Sequence, residues 1–322
     1  MILSRLTRPK LIKFYVWGSI QLTQKYYSSF VGKNFATLKD FDSNEIQKFL
    51  WTANDLKTRF KKDKECFQPL HGKSIGLIFQ KRSTRTRVST ETGMGLLGGQ
   101  SVFLGASDVH IGVSESLEDS AKVLSSMFDI LLARVFEHDI IDTLAAASSV
   151  PVINGLSDLY HPLQILADFL TLQEHFGRLK DLKLSWVGFA PDENVIKICD
   201  KIASQTGSLL HYTHDPKEAV HQANAIITDT WVSMGQEKEK ERKIKLFADY
   251  IVNDELVKGA APNWVFMHCL PRYPLEVTDS VFYAKNSVVF QEAENRKWTV
   301  MAVMLHLLQD YSPVYPKPNF GF

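Results

Sequence analysis

Short apolar runs alternate with segments of helical periodicity along most of the chain, and this alternation constrains the fold more than any other feature. Ser74–Phe79 and Ala225–Thr228 are apolar runs of strand length, whereas residues 86–97 and 192–204 space their apolar side chains as helices do. Such alternation predicts parallel sheets with helices on both faces. We therefore predict an α/β fold of two doubly wound parallel-sheet domains, which are linked by helices.

The order of these segments also predicts where the domains begin and end. Two blocks meet near His161, which gives a first domain of residues 33–160 and a second of residues 161–322. Residues 287–290 predict a last strand, and residues 296–308 predict a closing helix. That helix is expected to return to the first domain.

The composition is that of an ordinary globular protein. The 322 residues are 45% hydrophobic and 23% charged, and this length suits two domains of ordinary size. A net charge of +1 and a pI near 7.7 give no electrostatic reason to expect a nucleic acid or an acidic membrane as partner. Cys66, Cys199 and Cys269 are too few and too scattered for a disulfide framework or a metal site, and they fit a reducing compartment.

The first forty residues differ in charge from the rest. They include Arg5 and Arg8 among many basic residues, and Asp40 is the first acidic residue. With its hydroxyl and aromatic residues, this stretch predicts a cleaved mitochondrial presequence over residues 1–32 and a location in the mitochondrial matrix. A secretory signal and a disordered basic tail are the alternatives. The apolar stretch 14–20 is short for a secretory core and far too short to span a bilayer.

Residues 80–87 follow the first strong strand prediction and open a helix. Ser83, Thr84 and Thr86 are expected at its N-terminus, where N–H groups and the helix dipole favour an anion. Arg85 adds charge-assisted hydrogen bonds to phosphate oxygens. A solvated basic helix start, with Ser83 as a plain cap, is the alternative. Because the neighbouring basic residues repel one another when no anion is bound, we favour a phosphate site.

His161 and Gln164 follow another predicted strand and begin the next helix, with Pro162 in its first turn. His161 is expected at the rim, and Gln164 one turn further on the same side. Both are therefore positioned to polarise or orient a small carbonyl group. A histidine beside a proline is more often only a helix cap, so this pair carries little weight alone.

Three more groups of polar residues follow strands or open the last helix. Asp229 ends one strand, where it can pair with an ammonium group, and Ser233-Met234-Gly235 offers backbone N–H groups; ordinary turn residues are the alternative. Cys269 follows another strand, but no His-Asn spacing supports covalent catalysis, and a buried inert thiol is commoner. Arg296 is a further candidate cation, or else a solvated charge on the outer face of the last helix.

Taken together and in this order, these segments resemble the carbamoyltransferases. Ser-Thr-Arg-Thr-Arg at residues 83–87 and His-Pro-x-Gln at residues 161–164 are similar to motifs of the whole superfamily, which includes aspartate carbamoyltransferase. Asp229, Ser233-Met234-Gly235 and the His-Cys-Leu-Pro of residues 268–271 resemble the ornithine branch. The similarity covers nearly the whole chain after the predicted presequence.

The resemblance implies the reaction of that branch, as in the urea cycle and arginine biosynthesis. The neutral side-chain amine of L-ornithine would attack the carbamoyl carbon of carbamoyl phosphate, giving L-citrulline and phosphate. Thr86, Arg134 and His161 would stabilise the developing oxyanion. Holding the two substrates in line would supply most of the rate, with no metal or organic cofactor.

The resemblance also implies residues for each substrate. The carbamoyl phosphate site would use hydroxyl, cationic and amide groups from the first domain and the chain end: Ser83, Thr84, Arg85, Thr86, Arg134, His161, Gln164 and Arg296. His110 would reach from one chain of a homotrimer into its neighbour's site. Ornithine would meet Asp229 and the Ser233-Met234 turn. Cys269 and Leu270 would border both substrates near the reacting amine, with Cys269, like Arg134 and His161, among the catalytic residues.

One departure from the family pattern follows Gly188. The family continues there as Gly-Asp-Gly-Asn-Asn and a helix, whereas this chain continues as Phe-Ala-Pro-Asp-Glu-Asn, and residues 195–214 resemble what comes one helix and one strand later. Roughly thirty residues, about one βα unit, are therefore missing from the second domain. The family's asparagine for the ornithine carboxylate is lost with them, and Asn194 is not expected to replace it.

Three hypotheses about activity remain open. The chain is a working ornithine carbamoyltransferase that tolerates the shortened domain, or a defective variant that binds carbamoyl phosphate without turnover. The third hypothesis is a non-catalytic partner that modulates intact subunits of a trimer. All the other expected catalytic residues are present, which argues against an evolved non-enzyme. For the shortened chain alone we predict little formation of citrulline.

Overall fold

The computed structural model describes the backbone of residues 11–15 and, in full, residues 29–105, 115–188, 191–231, 242 and 247–321. It divides into two compact units. The larger unit comprises Leu22–Gly177 and Ala293–Phe320, and the smaller unit comprises Met1–Gln21, Arg178–Glu292 and Gly321–Phe322. Within the described ranges, no helix has the length and apolar character needed to cross a membrane.

Strands and helices alternate as the sequence predicts. The strands, in chain order, are β1 (Leu11–Tyr15), β2 (Ser74–Phe79), β3 (Gln100–Gly105), β4 (Ile130–Arg134), β5 (Val152–Leu156), β6 (Lys183–Val187), β7 (Leu209–Thr213), β8 (Ala225–Thr228) and β9 (Val265–His268). The α-helices are α1 (Ser43–Lys57), α2 (Thr84–Leu96), α3 (Leu117–Met127), α4 (His138–Ala147), α5 (Pro162–Phe176), α6 (Glu193–Thr206), α7 (Pro216–Val220), α8 (Asp254–Val257), α9 (Asp279–Phe282) and α10 (Val289–Leu308).

The larger unit contains a four-stranded parallel sheet with the order β3-β2-β4-β5. Every residue of β4 is buried, which explains its continuous apolar run, because a parallel sheet is covered on both faces. The strands end at the same edge, where Phe79 of β2 pairs with Arg134 of β4. Loops that follow these strands are therefore brought together at this edge, where open α/β sheets bind ligands.

An aromatic cluster holds the start of the larger unit against its helices. Phe30 is 1% exposed and stacks on Phe49 of α1, with ring centroids 4.8 Å apart. His306 of α10 lies against both rings, and its Nε2 is 2.7 Å from the Oγ1 of Thr52. The chain from Ser29 onward is thus part of the packed unit.

The smaller unit contains a five-stranded sheet with the order β7-β1-β6-β8-β9. Strands β6, β8 and β9 are parallel, as predicted. The sheet also contains a strand that the sequence analysis did not predict, because β1 runs antiparallel between β6 and β7. The strand comes from the N-terminal segment, which carries no strand signal that points to these partners.

One expected boundary differs from that of the structure. The units divide after Gly177 and not after residue 160, because α5 buries Leu163, Leu166 and Leu170 within the larger unit. The presequence over residues 1–32 stays a prediction. Residues 11–15 form β1, and the N–H of Gly32 donates to the carbonyl oxygen of Leu307 at 3.0 Å.

The prediction of a strand at residues 287–290 is wrong. Ser287 makes only an isolated bridge to Phe266, and α10 begins at Val289, seven residues before the predicted closing helix. A short apolar run does not distinguish a buried strand from the buried first turn of a helix. Val289 is fully buried, so tertiary packing decided between the two.

Candidate active site

The N-terminus of α2 forms the first part of the candidate site. The Oγ of Ser83 accepts a hydrogen bond from the N–H of Thr86 at 3.2 Å, so Ser83 caps the helix. Thr84 and Arg85 follow in the first turn, and Thr86 is 1% exposed. First-turn N–H groups lack intrahelical partners, and together with the helix dipole they favour a bound anion.

Arg134 lies at the same edge of the sheet. It ends β4 next to Phe79, the last residue of β2, and it is 7% exposed. Its carbonyl oxygen accepts a hydrogen bond from the N–H of Gln80 at 2.9 Å. This bond ties the loop that enters α2 to the end of β4, so a guanidinium group and a helix N-terminus are placed side by side.

His161 precedes α5 and brings an imidazole to the site. Pro162 occupies the first turn of that helix, as the sequence predicts. The Nδ1 atom of His161 is buried and has no hydrogen-bond partner among the described residues. Burial, and then the positive charges of Arg296, Arg134 and Arg85, hold the pKa of His161 well below its ordinary value. The ring is therefore neutral at pH 7.

Arg296 of α10 links the first turns of α2 and α5 by two hydrogen bonds. Its Nη1 donates to the Oε1 of Gln164 at 2.6 Å, and its Nη2 donates to the Oγ1 of Thr86 at 3.1 Å. Arg296 is only 3% exposed, which contradicts the alternative of a solvated charge on the outer face of α10. Residues separated by more than a hundred positions in sequence thus meet at one buried junction.

The arrangement within the larger unit suits a small anion that also carries a carbonyl group. A helix N-terminus and three guanidinium groups provide positive potential for a phosphate. A neutral imidazole, an amide and a hydroxyl lie beside them, and such groups stabilise negative charge on a carbonyl oxygen. In the described part of the chain, no group of three or more His, Cys, Asp and Glu side chains could hold a metal ion.

Sequence reasoning missed one residue of this region, Asp168. The Nε2 of Gln164 donates to the Oδ1 of Asp168 at 2.8 Å, so Asp168 fixes which end of the amide faces Arg296. The spacing of four residues on one helix face was the available signal. Lys81 lies close enough to Arg134 for the two charges to repel; burial, and then that repulsion, lower the pKa of Lys81.

In the smaller unit, Asp229 and Cys269 are brought together. Asp229 follows β8 and Cys269 follows β9, and the thiol donates a hydrogen bond to the Asp229 Oδ1 at 2.7 Å. A carboxylate neighbour does not favour a thiolate, which argues against a covalent nucleophile. Leu270 has a positive φ of 59°, and its N–H donates to the Nδ1 of His268 at 2.8 Å, so the turn after Cys269 is anchored in β9.

Three predicted site residues lie outside the described ranges: His110, Ser233 and Met234. Asn194 is described and lies in the exposed first turn of α6, where its N–H donates to the Oδ1 of Asp192. It is placed as an ordinary surface residue of a capped helix.

Two family models together match most of the chain. Residues 33–174 match the model described as aspartate/ornithine carbamoyltransferase, carbamoyl-P binding domain. Residues 182–307 match the aspartate/ornithine carbamoyltransferase Asp/Orn binding domain. The break between the two matches falls close to the end of the larger unit's first segment at Gly177.

Individual relatives are similar over most of their length. The chain is 49% identical to the mitochondrial ornithine transcarbamylase of Gallus gallus, over 90% of this chain and 89% of that protein. It is 48% identical to the mitochondrial ornithine carbamoyltransferase of Aquarana catesbeiana, over 91% and 92% respectively. The solved ornithine carbamoyltransferase of Pyrococcus furiosus superposes with a TM-score of 0.83 at 39% identity, covering 88% of this chain and 99% of that one. This chain belongs to the ornithine carbamoyltransferase family, whose members are carbamoyltransferase enzymes.

Proposed function

We propose that this chain transfers the carbamoyl group of carbamoyl phosphate to the side-chain amine of L-ornithine, giving L-citrulline and phosphate. The observation that carries the proposal is the buried junction of Thr86, Gln164 and Arg296 beside a neutral His161. It unites groups that bind a phosphate with groups that polarise a carbonyl, which is the combination this substrate needs. The family membership supports the same reaction.

The proposed mechanism assigns a role to each half of the substrate. Ser83, Thr84, Arg85 and Thr86 bind the phosphate at the start of α2. Arg134, His161, Gln164 and Arg296 surround the carbamoyl group, and the hydrogen bonds to its oxygen strengthen as negative charge develops there. The amine attacks the carbamoyl carbon, the bond to the phosphate oxygen breaks, and phosphate leaves with the electron pair while the amine loses a proton.

The residues proposed to bind ornithine belong to the smaller unit. Asp229 would attract the α-ammonium group together with Ser233 and Met234, and Cys269 and Leu270 would lie near the reacting amine. The Cys269–Asp229 hydrogen bond shows that two of these side chains are already ordered against each other. We infer that the part that the family uses for the ornithine carboxylate is missing after Gly188, and the exposure of Asn194 supports the expectation that it does not replace this part.

We therefore infer that capture of ornithine is the weak step and that binding of carbamoyl phosphate is intact. A charge-assisted hydrogen bond left unmade costs about 1.5–3 kcal/mol, or roughly ten- to a hundredfold in affinity. The alternative functions are a chain that binds carbamoyl phosphate without turnover, and a partner that modulates intact subunits. The assembled carbamoyl phosphate side favours both the proposed function and the first alternative over the second.

A steady-state assay of citrulline formation tests the proposal. At saturating carbamoyl phosphate we expect little citrulline at ordinary ornithine concentrations, and a KM for ornithine roughly ten- to a hundredfold above that of a full-length relative such as the chicken enzyme. Grafting the relative's missing segment after Gly188 should lower that KM.

One outcome of this assay contradicts the proposed function, and another contradicts only the inference that ornithine capture is the weak step. No citrulline at any ornithine concentration, with carbamoyl phosphate still bound, would favour the binding-only alternative. An ordinary KM in the unmodified chain would show that the shortened domain has rebuilt its carboxylate site. Mixing with intact subunits tests the partner alternative, since only a partner changes their specific activity.

We also propose a mitochondrial matrix location and a homotrimer in which His110 reaches into the neighbouring site. The similar proteins of Gallus gallus and Aquarana catesbeiana are named as mitochondrial enzymes, which supports the location. A reporter fused after residues 1–40 should enter mitochondria, and a cytosolic or secreted reporter would contradict the proposal. Sedimentation of the purified 36.6 kDa chain should give three times that mass.

A further inference from the structure

Asn295 directly precedes Arg296 on α10, and its side chain is fully buried. Its Nδ2 donates to the Oγ1 of Thr171 at 2.8 Å and to the Oε2 of Glu174 at 3.0 Å, and both of these residues belong to α5. Its Oδ1 accepts a hydrogen bond from the Nζ of Lys57, the last residue of α1, at 2.8 Å. One amide therefore joins three helices of the larger unit, next to a residue of the proposed site.

The partners of the Asn295 amide allow it only one orientation. An ammonium group can only donate, so Lys57 requires the amide oxygen. The Thr171 hydroxyl donates its proton to the carbonyl oxygen of Ala167 at 2.7 Å, so toward Asn295 it can only accept. Lys57 also donates to the Oε1 of Glu174 at 2.6 Å, which holds that carboxylate in place as the second acceptor. Both ends of the amide are thus fixed, and a carboxylate or a hydrocarbon here would leave buried polar groups without partners.

An anchor at residue 295 controls the direction of the side chain at residue 296. Successive side chains of an α-helix point about 100° apart around its axis, so holding Asn295 against α5 also sets where Arg296 leaves α10. Arg296 depends on that setting, because its two donors meet Gln164 of α5 and Thr86 of α2 at 2.6 and 3.1 Å. Gln164 and Thr171 are about two turns apart and lie on the same face of α5. The anchor and the guanidinium group therefore contact the same helix face.

We propose that Asn295 is a positioning residue of the carbamoyl phosphate site, which holds α10 in the rotation that points Arg296 at Gln164 and Thr86. Arg296 binds the ligand, and Asn295 acts through it. The inference rests on the proposed function, because Arg296 acts there on carbamoyl phosphate. A substitution that loosens the anchor should therefore lower the affinity without removing any group that binds the ligand.

Asn295→Ala tests the proposal, because it removes all three hydrogen bonds and adds neither charge nor bulk. The affinity for carbamoyl phosphate, measured by calorimetric titration, should fall roughly tenfold. In the Arg296→Ala background the same substitution should change the affinity by no more than about twofold, because the guanidinium group that it positions is absent. An equal loss in both backgrounds, or no loss in either, would overturn the proposal.

Two identical substitutions separate positioning from stability. Thr171 and Thr52 are both fully buried, and each contacts a side chain of α10. The partner of Thr52 is His306, which lies roughly 15 Å beyond Arg296 along the helix axis. Both Thr171→Val and Thr52→Val should lower the melting temperature, but Thr171→Val should weaken carbamoyl phosphate binding roughly fivefold and Thr52→Val by less than about twofold. Equal losses of affinity would contradict positioning. These mild substitutions also provide the test should Asn295→Ala fail to fold.

The position of Arg296 can also be determined without any ligand. In a crystal structure of ligand-free Asn295→Ala, the Arg296 guanidinium should lie beyond hydrogen-bond distance of Gln164 or Thr86, whereas in Thr52→Val it should keep both contacts. An unmoved guanidinium would overturn the proposal, whatever the variant binds. If the guanidinium moves but the unsubstituted chain binds no carbamoyl phosphate, the proposed function fails and the role of Asn295 in placing Arg296 stands.

Discussion

Arg296→Ala should weaken the binding of carbamoyl phosphate at least about a hundredfold, because Arg296 is the buried junction of the proposed site. Its guanidinium group donates to both Gln164 and Thr86 and contributes to the positive potential at His161. Each charge-assisted hydrogen bond is worth about 1.5–3 kcal/mol. The substitution removes the proposed bond from the guanidinium group to the ligand together with one positive charge, and it leaves the Gln164 amide and the Thr86 hydroxyl without the donor that positions them.

The measurement is the rise in melting temperature with added carbamoyl phosphate, followed by calorimetric titration well below the melting temperature. A ligand that binds only the native state stabilises it by RT ln(1 + [L]/Kd), so at a concentration well below the variant's Kd the rise seen with wild type should vanish. Inorganic phosphate serves as a second probe of the anion site alone.

Two further variants separate charge from geometry. Arg296→Lys keeps the charge but not the forked donor pair, so its affinity should fall between wild type and Arg296→Ala. Lys297→Ala removes the neighbouring positive charge, whose side chain lies over the Trp298 ring, and should bind as wild type does. Binding by Arg296→Ala at wild-type affinity would place the anion site elsewhere.

The larger unit should lose stability steeply as the pH falls from 7 to 3.5, because His306 is buried in its neutral form. Burial, and then the positive charge of Lys48, lower the pKa of His306 to about 3. Between that value and the ordinary histidine pKa, the unfolded chain binds a proton that the folded chain does not. The free energy of unfolding therefore falls as the pH decreases through this range.

The expected loss of stability follows from the difference between the pKa values of His306 in the unfolded and folded chains. His306 alone should cost about 2 kcal/mol of stability by pH 5 and about 4 kcal/mol by pH 3.5, relative to pH 7. The lowered pKa of His161 acts in the same direction. Carboxyl groups also titrate below pH 5, so the comparison must be with a variant and not with the pH curve alone.

His306→Gln provides that comparison. Glutamine does not titrate, and its amide can still meet the Oγ1 of Thr52, which His306 contacts at 2.7 Å. Urea unfolding at pH 7, 5 and 3.5 should show that the free energy of unfolding of the variant falls less with decreasing pH than that of wild type, by the amounts given above. Parallel curves for the two proteins would mean that folding does not change the pKa of His306.

The sequence by itself determined the features that depend on local spacing. The periodicity around α2, the cap at Ser83 and the proline at the start of α5 all act within one turn of helix, so they can be recognised without knowing the fold. The order of strands and helices is likewise confirmed by the structure, because the apolar runs of a parallel sheet are buried on both faces.

Only the tertiary structure decided the features that depend on distant partners. From the sequence alone, Arg296 could be a solvated charge or a residue that binds an anion. The packing of α10 beside Thr86 and Gln164 decides for the buried position. The run at residues 287–290 has the composition of a strand, but burial of Val289 makes it a helix start. Strand β1 could not be predicted from local spacing, because the strands it pairs with, β6 and β7, lie far along the chain.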